Sequence, residues 1–169
     1  SVLDQLTIED IPLKDTLIIS VQGDQPFLDP NIITKLSEIF INSQDRPEVI
    51  TPIYPMSKKN IHNPNVVKTL MDINDQVLYF SRSAIPHVRG LAEDKWGDIY
   101  CYWGHVGIYG FRGDVLSKWK SLPESKLENV EKLEQLRLIE AGIKIQTFKV
   151  KEESLSVDTV EQLNLARNI

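Results

Sequence analysis

Cysteine is nearly absent from this chain: Cys101 stands alone, which excludes an intrachain disulfide and a cysteine-based zinc cage. The three histidines, His62, His87 and His105, show no metal-ligand spacing. There is no block of lysine and arginine, and the formal charge is −5, so no basic stripe is available to track a nucleic-acid backbone. An anionic ligand must therefore be held locally. No apolar stretch approaches the ~20 residues that span a bilayer, and no basic-then-apolar leader opens the sequence. Repeats and low-complexity tracts are also missing. These absences read as a soluble cytoplasmic protein with neither nucleic acid nor membrane as a partner.

What is present is an alternation of strands and helices. At 169 residues the chain is read as a single domain, 1–169, able to bury roughly 70% of its unfolded surface. Residues 17–22 form a continuous apolar strand that stops at Gly23-Asp24-Gln25-Pro26. Because ligands gather beyond the carboxyl ends of strands in open α/β sheets, Asp24 stands where a metal or phosphate-bearing substrate is expected. An ordinary strand-to-turn junction uses the same residue types. Asp29-Pro30 then opens a helix, with Ile32, Ile33, Leu36, Ile39 and Phe40 at helical spacing, and residues 48–54 return as a strand. That βαβ pattern predicts a parallel pair.

The middle of the chain differs. Two short strands flank Asp72-Ile73-Asn74-Asp75, the pattern of a hairpin, and residues 88–98 read as a polar, mobile loop. Residues 100–111 are aromatic and β-branched, predicting one or two strands. Helices are expected over 114–119 and 126–141, the second with Val130, Leu133, Leu136, Leu138 and Ile139 on its apolar side and Gly142 as its stop. A strand over 143–150 and a terminal helix from Val157-Asp158-Thr159 complete an α/β three-layer plan.

Six blocks in this order resemble the 3-deoxy-manno-octulosonate (Kdo) cytidylyltransferases. They are Val21-Gln22-Gly23-Asp24-Gln25-Pro26, Asn63-Pro64-Asn65-Val66-Val67-Lys68, Tyr79-Phe80-Ser81-Arg82-Ser83-Ala84-Ile85-Pro86, His105-Val106-Gly107-Ile108-Tyr109-Gly110-Phe111-Arg112, the run 127–137, and Val157-Asp158-Thr159. Gln25 stands where the family usually has Glu, and Val160 where it has Pro. The resemblance implies a Rossmann-like fold of the nucleotide-diphospho-sugar transferase type with a β-hairpin insertion at 62–103, placed at a dimer interface. Nothing in residues 1–15 supplies the basic, glycine-containing triphosphate loop of that fold, so the chain reads as N-terminally truncated, inactive or impaired on its own, with an exposed sheet edge.

The activity so implied is transfer of CMP from CTP to the acidic sugar Kdo for lipopolysaccharide biosynthesis, with release of pyrophosphate. Mg²⁺ is the expected cofactor, held by Asp24 and Asp158, although an Asp before a helix is also an ordinary N-cap. Arg82, just after an apolar strand, suits a guanidinium fork on a carboxylate or phosphate, with Arg89 an assistant on the adjacent loop. His105 and Tyr109, four apart in one expected strand, share a face and suit a sugar's hydroxyls or carboxylate. Glu134 and Gln135 are implied to hold sugar hydroxyls, while a solvated helix face with pairs such as Glu128–Lys132 is the plainer reading. Gln22 is assigned to the nucleotide, and Lys68 and Ser81 read equally well as structural. The expected assembly is a homodimer. Two other readings stay open: a cytidylyltransferase for amino-Kdo or a sialic acid, and a noncatalytic sugar-binding remnant or partner subunit.

Overall fold

The computed structural model describes residues 12–23, 25, 27–151 and 167. Asp24, Asp158 and the expected terminal helix lie outside them, as do residues 1–11.

Seven strands form one sheet among the described residues: β1 (Leu17–Ser20), β2 (Val49–Pro55), β3 (Lys68–Met71), β4 (Val77–Ser81), β5 (Trp103–His105), β6 (Tyr109–Arg112) and β7 (Ile145–Lys149). Their order is β1-β6-β2-β5-β3-β4, with β7 running parallel to β2. β1 and β2 share a direction, as a βαβ unit requires, but they are not paired neighbours. β6 lies between them, antiparallel to both, with Ser20 opposite Tyr109 and Val49 opposite Phe111. The expected pair is corrected by a long-range insertion that local periodicity does not encode.

β2 organises the layers because it is apolar on both faces. Val49 joins a core with Phe80, Phe111, Val115, Leu133, Leu136, Leu138 and Ile145, whereas Ile50 and Tyr54 enter a second core with Ile32, Leu36, Phe40, Val106 and Ile108. Alternation along one strand thus feeds two helical layers. The second core is covered by α1 (Pro30–Asn42), whose Asp29 cap accepts a hydrogen bond from the Asn31 amide at 2.9 Å while Pro30 fills the first turn. Ile32, Leu36 and Phe40, at helical spacing, are the buried residues of this helix, as its apolar pattern predicts.

β3 and β4 pair as the expected hairpin. The segment anticipated as a mobile loop instead contains a 3₁₀ turn at Glu93–Lys95 and a short α2 (Trp96–Ile99). Trp96 draws it inward: the indole is buried with Met56, Ile61 and Tyr102 and donates to the Leu91 carbonyl at 3.2 Å.

The first core is closed by α3 (Gly113–Lys118), α4 (Lys126–Glu131) and α5 (Leu136–Glu140). The single helix expected over 126–141 is therefore two. Lys132 takes the left-handed conformation at φ 55° and ends α4, with its amide donating to the Glu128 carbonyl at 2.7 Å. Val130, expected on the apolar side, is 82% exposed, and Leu127 is the α4 residue that packs against the core. Glu128 does not pair with Lys132; both of its oxygens accept from Arg137, at 2.6 and 2.8 Å, which ties α4 to α5. Gly142, at φ 75°, stops α5 as expected.

Candidate functional site

A cavity of about 620 Å³ opens on the face of the sheet that carries α3–α5. Ser20 ends β1 and Gln22 lies just beyond it, Arg82 follows β4, His105 ends β5, Tyr109 begins β6, and Gly107 lies in the connection between those two strands. The helix break contributes Lys132, Leu133, Glu134 and Gln135, while Leu116 and Trp119 close the apolar side. Gln22, Arg82, His105, Tyr109, Glu134 and Gln135 are thus brought together from four separated segments. Arg89 does not line the cavity and is exposed on the loop beyond β4.

His105 and Tyr109 meet for a different reason from the one expected. They belong to two strands, not one, and the 106–108 connection folds their rings to 5.2 Å. Tyr109 stacks on Phe111 at 5.5 Å, and Phe111 meets Trp119 edge-on at 5.8 Å, giving an aromatic floor. Burial pushes the Tyr109 phenol well above its ordinary value, and the Glu134 carboxylate pushes it further, so the hydroxyl remains a proton donor. Burial lowers His105 to about 3, which keeps its ring neutral at physiological pH. Its Nε2 lies 3.0 Å from the hydroxyl of Thr51 on β2.

Glu134 and Gln135 share the cavity because they stand in the turn between two helices, where the 100° divergence of helical neighbours does not apply. Gln135 caps α5 and is only 8% exposed, yet its amide has no hydrogen bond among the described residues, leaving it available to a ligand.

Arg82 is largely committed to the protein. Its Nε donates to the Glu131 carbonyl at 2.8 Å, and its terminal nitrogens to Pro64 at 3.0 Å and Lys132 at 3.4 Å. The guanidinium therefore caps α4 and keeps part of its five-donor fork for the cavity. Behind it, Glu131 accepts from the Ser81 hydroxyl at 2.7 Å and the Arg82 amide at 2.9 Å. Lys68, fully buried, donates to the carbonyls of Asn63 and Val66 at 2.8 Å each and to that of Arg82. Burial lowers its ammonium to about 8, opposed by nearby Glu131 and assisted by Arg82.

Sequence reasoning missed Thr51 and Lys132 and left Lys68 open. The usable signal for Thr51 and Lys68 was a lone polar residue in a buried strand, which requires an internal partner.

A larger groove of about 730 Å³ lies beyond Ile39, Arg46, Glu48, Arg112 and Lys144, but its arginines are engaged. Arg112 donates to Asp114 at 2.6 and 3.2 Å and Arg46 is paired with Asp15, so the smaller cavity is the better ligand site. No cluster of three His, Cys, Asp or Glu residues able to hold a metal occurs among the described residues. The two aspartates assigned to Mg²⁺ lie outside them.

The family model described as cytidylyltransferase matches residues 3–145. The chain belongs to the cytidylyltransferase family. It is 35% identical over 158 residues to a 3-deoxy-manno-octulosonate cytidylyltransferase of Porphyromonas gingivalis, covering 90% of this chain and 61% of the relative. It is 39% identical over 156 residues to that of Wolinella succinogenes, covering 90% and 63%. The chain thus spans somewhat less than two thirds of the curated relatives it matches. A solved CMP:2-keto-3-deoxy-manno-octonic acid synthetase complexed with CTP superposes with TM-score 0.79 at 35% identity, covering 90% of this chain and 63% of that one. A glucose-1-phosphate thymidylyltransferase from Bacillus anthracis, described as putative, is similar in fold alone, with TM-score 0.53 at 15% identity. These likenesses agree with the nucleotidyltransferase α/β fold anticipated from the six blocks.

Proposed function

We propose that this cytidylyltransferase chain carries the acidic-sugar site of an enzyme that transfers CMP from CTP to Kdo and releases pyrophosphate, for lipopolysaccharide biosynthesis. The observation that carries the reading is the convergence of Gln22, Arg82, His105, Tyr109, Glu134 and Gln135 on one cavity, in a chain similar to a synthetase solved with CTP.

The cavity chemistry suits a polyhydroxylated acid. Tyr109 donates, Glu134 accepts, and the Gln135 amide does both, so hydroxyls of either polarity find partners on the aromatic floor. Lys132 and the uncommitted part of Arg82 supply positive charge for the carboxylate. In the reaction, the anomeric hydroxyl oxygen forms a bond to the α-phosphorus of CTP as the bond to the β-phosphate bridging oxygen breaks. The electron pair departs with pyrophosphate, and the hydroxyl proton passes to water. Mg²⁺, held by Asp24 and Asp158, would supply charge neutralisation on the triphosphate. Gln22, at the mouth beyond β1, is assigned to the nucleotide.

A cytoplasmic homodimer is part of the same reading. The 62–103 insertion presents β4 at one end of the sheet, with Leu78 53% exposed on it, a suitable surface for a second copy. No helix among the described residues is long and apolar enough to cross a membrane.

The test is pyrophosphate release from CTP with Kdo, amino-Kdo or a sialic acid, run beside calorimetric binding of each sugar to the chain. Selective binding of Kdo supports the reading, with turnover identifying a self-sufficient catalyst and binding alone a sugar-holding part. Binding of none of the three sugars overturns it.

A further inference from the structure

We infer that Thr51 is a positioning residue that fixes the ring tautomer of His105, leaving His105 Nδ1 as an acceptor for a ligand hydroxyl. This rests on the sugar-site reading above and adds what it does not specify: which partner His105 takes and what imposes the choice.

Thr51 lies in β2 and is fully buried. Its hydroxyl oxygen is 2.8 Å from the Ile108 carbonyl and 3.3 Å from the Val106 carbonyl. A carbonyl oxygen only accepts, so the single hydroxyl proton is committed to that side. A lone pair of the same oxygen therefore faces His105 Nε2 at 3.0 Å, and this contact is a hydrogen bond only if Nε2 carries the proton. The opposite arrangement, with the hydroxyl donating to the ring, removes the proton from the Ile108 carbonyl. A neutral imidazole has one N–H, so Nδ1 holds a lone pair, and no described residue donates to it.

Steric constraints hold this arrangement in place. Phe80 meets the His105 ring edge-on with centroids 4.8 Å apart, and the Tyr109 centroid is 5.2 Å away, so the imidazole is gripped between aromatic neighbours. Burial keeps it unprotonated, which prevents a second N–H from forming at Nδ1. An acceptor nitrogen repels a carboxylate and welcomes a hydroxyl. His105 therefore reads a hydroxyl of the sugar, and the carboxylate is directed to the cationic side of the cavity at Lys132 and Arg82.

The test is long-range ¹H–¹⁵N correlation on the histidine-labelled chain, with His105 assigned from the His105→Asn spectrum. The expected wild-type pattern is a pyrrole-like Nε2 and a pyridine-like Nδ1, constant from about pH 5 to 8. Thr51→Val should mix the tautomers, and Thr51→Ser should restore the single form. If Thr51→Val does not fold, the wild-type and Thr51→Ser patterns still decide, since a pyrrole-like Nδ1 in either overturns the assignment. Kdo should shift the Nδ1 resonance, pyruvate, which lacks hydroxyls, should not, and Thr51→Val should weaken Kdo binding by roughly tenfold, the worth of one hydrogen bond. Kdo binding that leaves Nδ1 unmoved overturns this inference and spares the sugar site. Absence of Kdo binding overturns the sugar site and the hydroxyl role with it, while the ring pattern judges Thr51 separately.

Discussion

Replacing Lys68 with methionine removes the buried ammonium that joins the 63–66 turn to the end of β4, and its effect can be worked through. Three backbone carbonyls, those of Asn63, Val66 and Arg82, lose their donor. At ~2 kcal/mol for each bond to a charged group, the loss is ~6 kcal/mol. Against it stands relief from burying the charge: a shift from 10.5 to about 8 corresponds to at most ~3 kcal/mol at ~1.4 kcal/mol per unit. The net expectation is a destabilisation of about 3 kcal/mol at pH 7. The pH dependence adds a second signature. Between pH 8 and 10.5 the unfolded chain still holds the Lys68 proton that the native chain has released, so native stability from this group rises with pH. Wild type should therefore gain on Lys68→Met by up to ~1.4 kcal/mol per pH unit across that window. Urea unfolding followed by tryptophan fluorescence at pH 7, 8.5 and 9.5 measures both. A difference below ~1 kcal/mol at pH 7, or a gap that narrows as pH rises, refutes the reasoning.

Three further outcomes are expected. His105 is lowered to about 3 from 6.5, so the unfolded state binds its proton first as pH falls, and stability is lost between those values at up to ~1.4 kcal/mol per pH unit; acid titration of His105→Asn should lack that component. Tyr109→Phe keeps the aromatic stack and deletes one donor, so Kdo affinity measured by calorimetry should fall by roughly tenfold with little change in thermal stability. Gly104→Ala would place a methyl 2.3 Å from the Tyr54 ring across the β2–β5 pair, and chemical unfolding should report a loss of ~1–3 kcal/mol.

Much of this architecture was legible because local chemistry and burial agree. The Asp29-Pro30 start of α1, the hairpin around Asp72–Asp75 and the Gly142 stop each use a residue whose conformational preference matches its position. The split between α4 and α5 was hidden for the opposite reason. Lys132 is a poor left-handed residue, and no Gly or Pro marks the break; the Arg82 guanidinium, donating from distant sequence to the Glu131 and Lys132 carbonyls, and the Glu128–Arg137 pair stabilise it. That hidden break also brings Glu134 and Gln135 into one cavity. The intrusion of β6 between β1 and β2 was equally nonlocal. Family motifs located Gln22, Arg82, His105 and Tyr109, whereas the network beneath them, Thr51 under His105 and Lys68 under Arg82, becomes visible only through hydrogen bonds.

Calorimetric titration of Kdo into the chain, repeated on Gln135→Ala, tests the central claim most directly. Gln135 is buried and lines the cavity, with its side-chain amide uncommitted among the described residues, so saturable binding in wild type and at least a tenfold loss in the variant are predicted. Equal affinity in the two, or no heat of binding in either, contradicts the assignment of this cavity to the sugar.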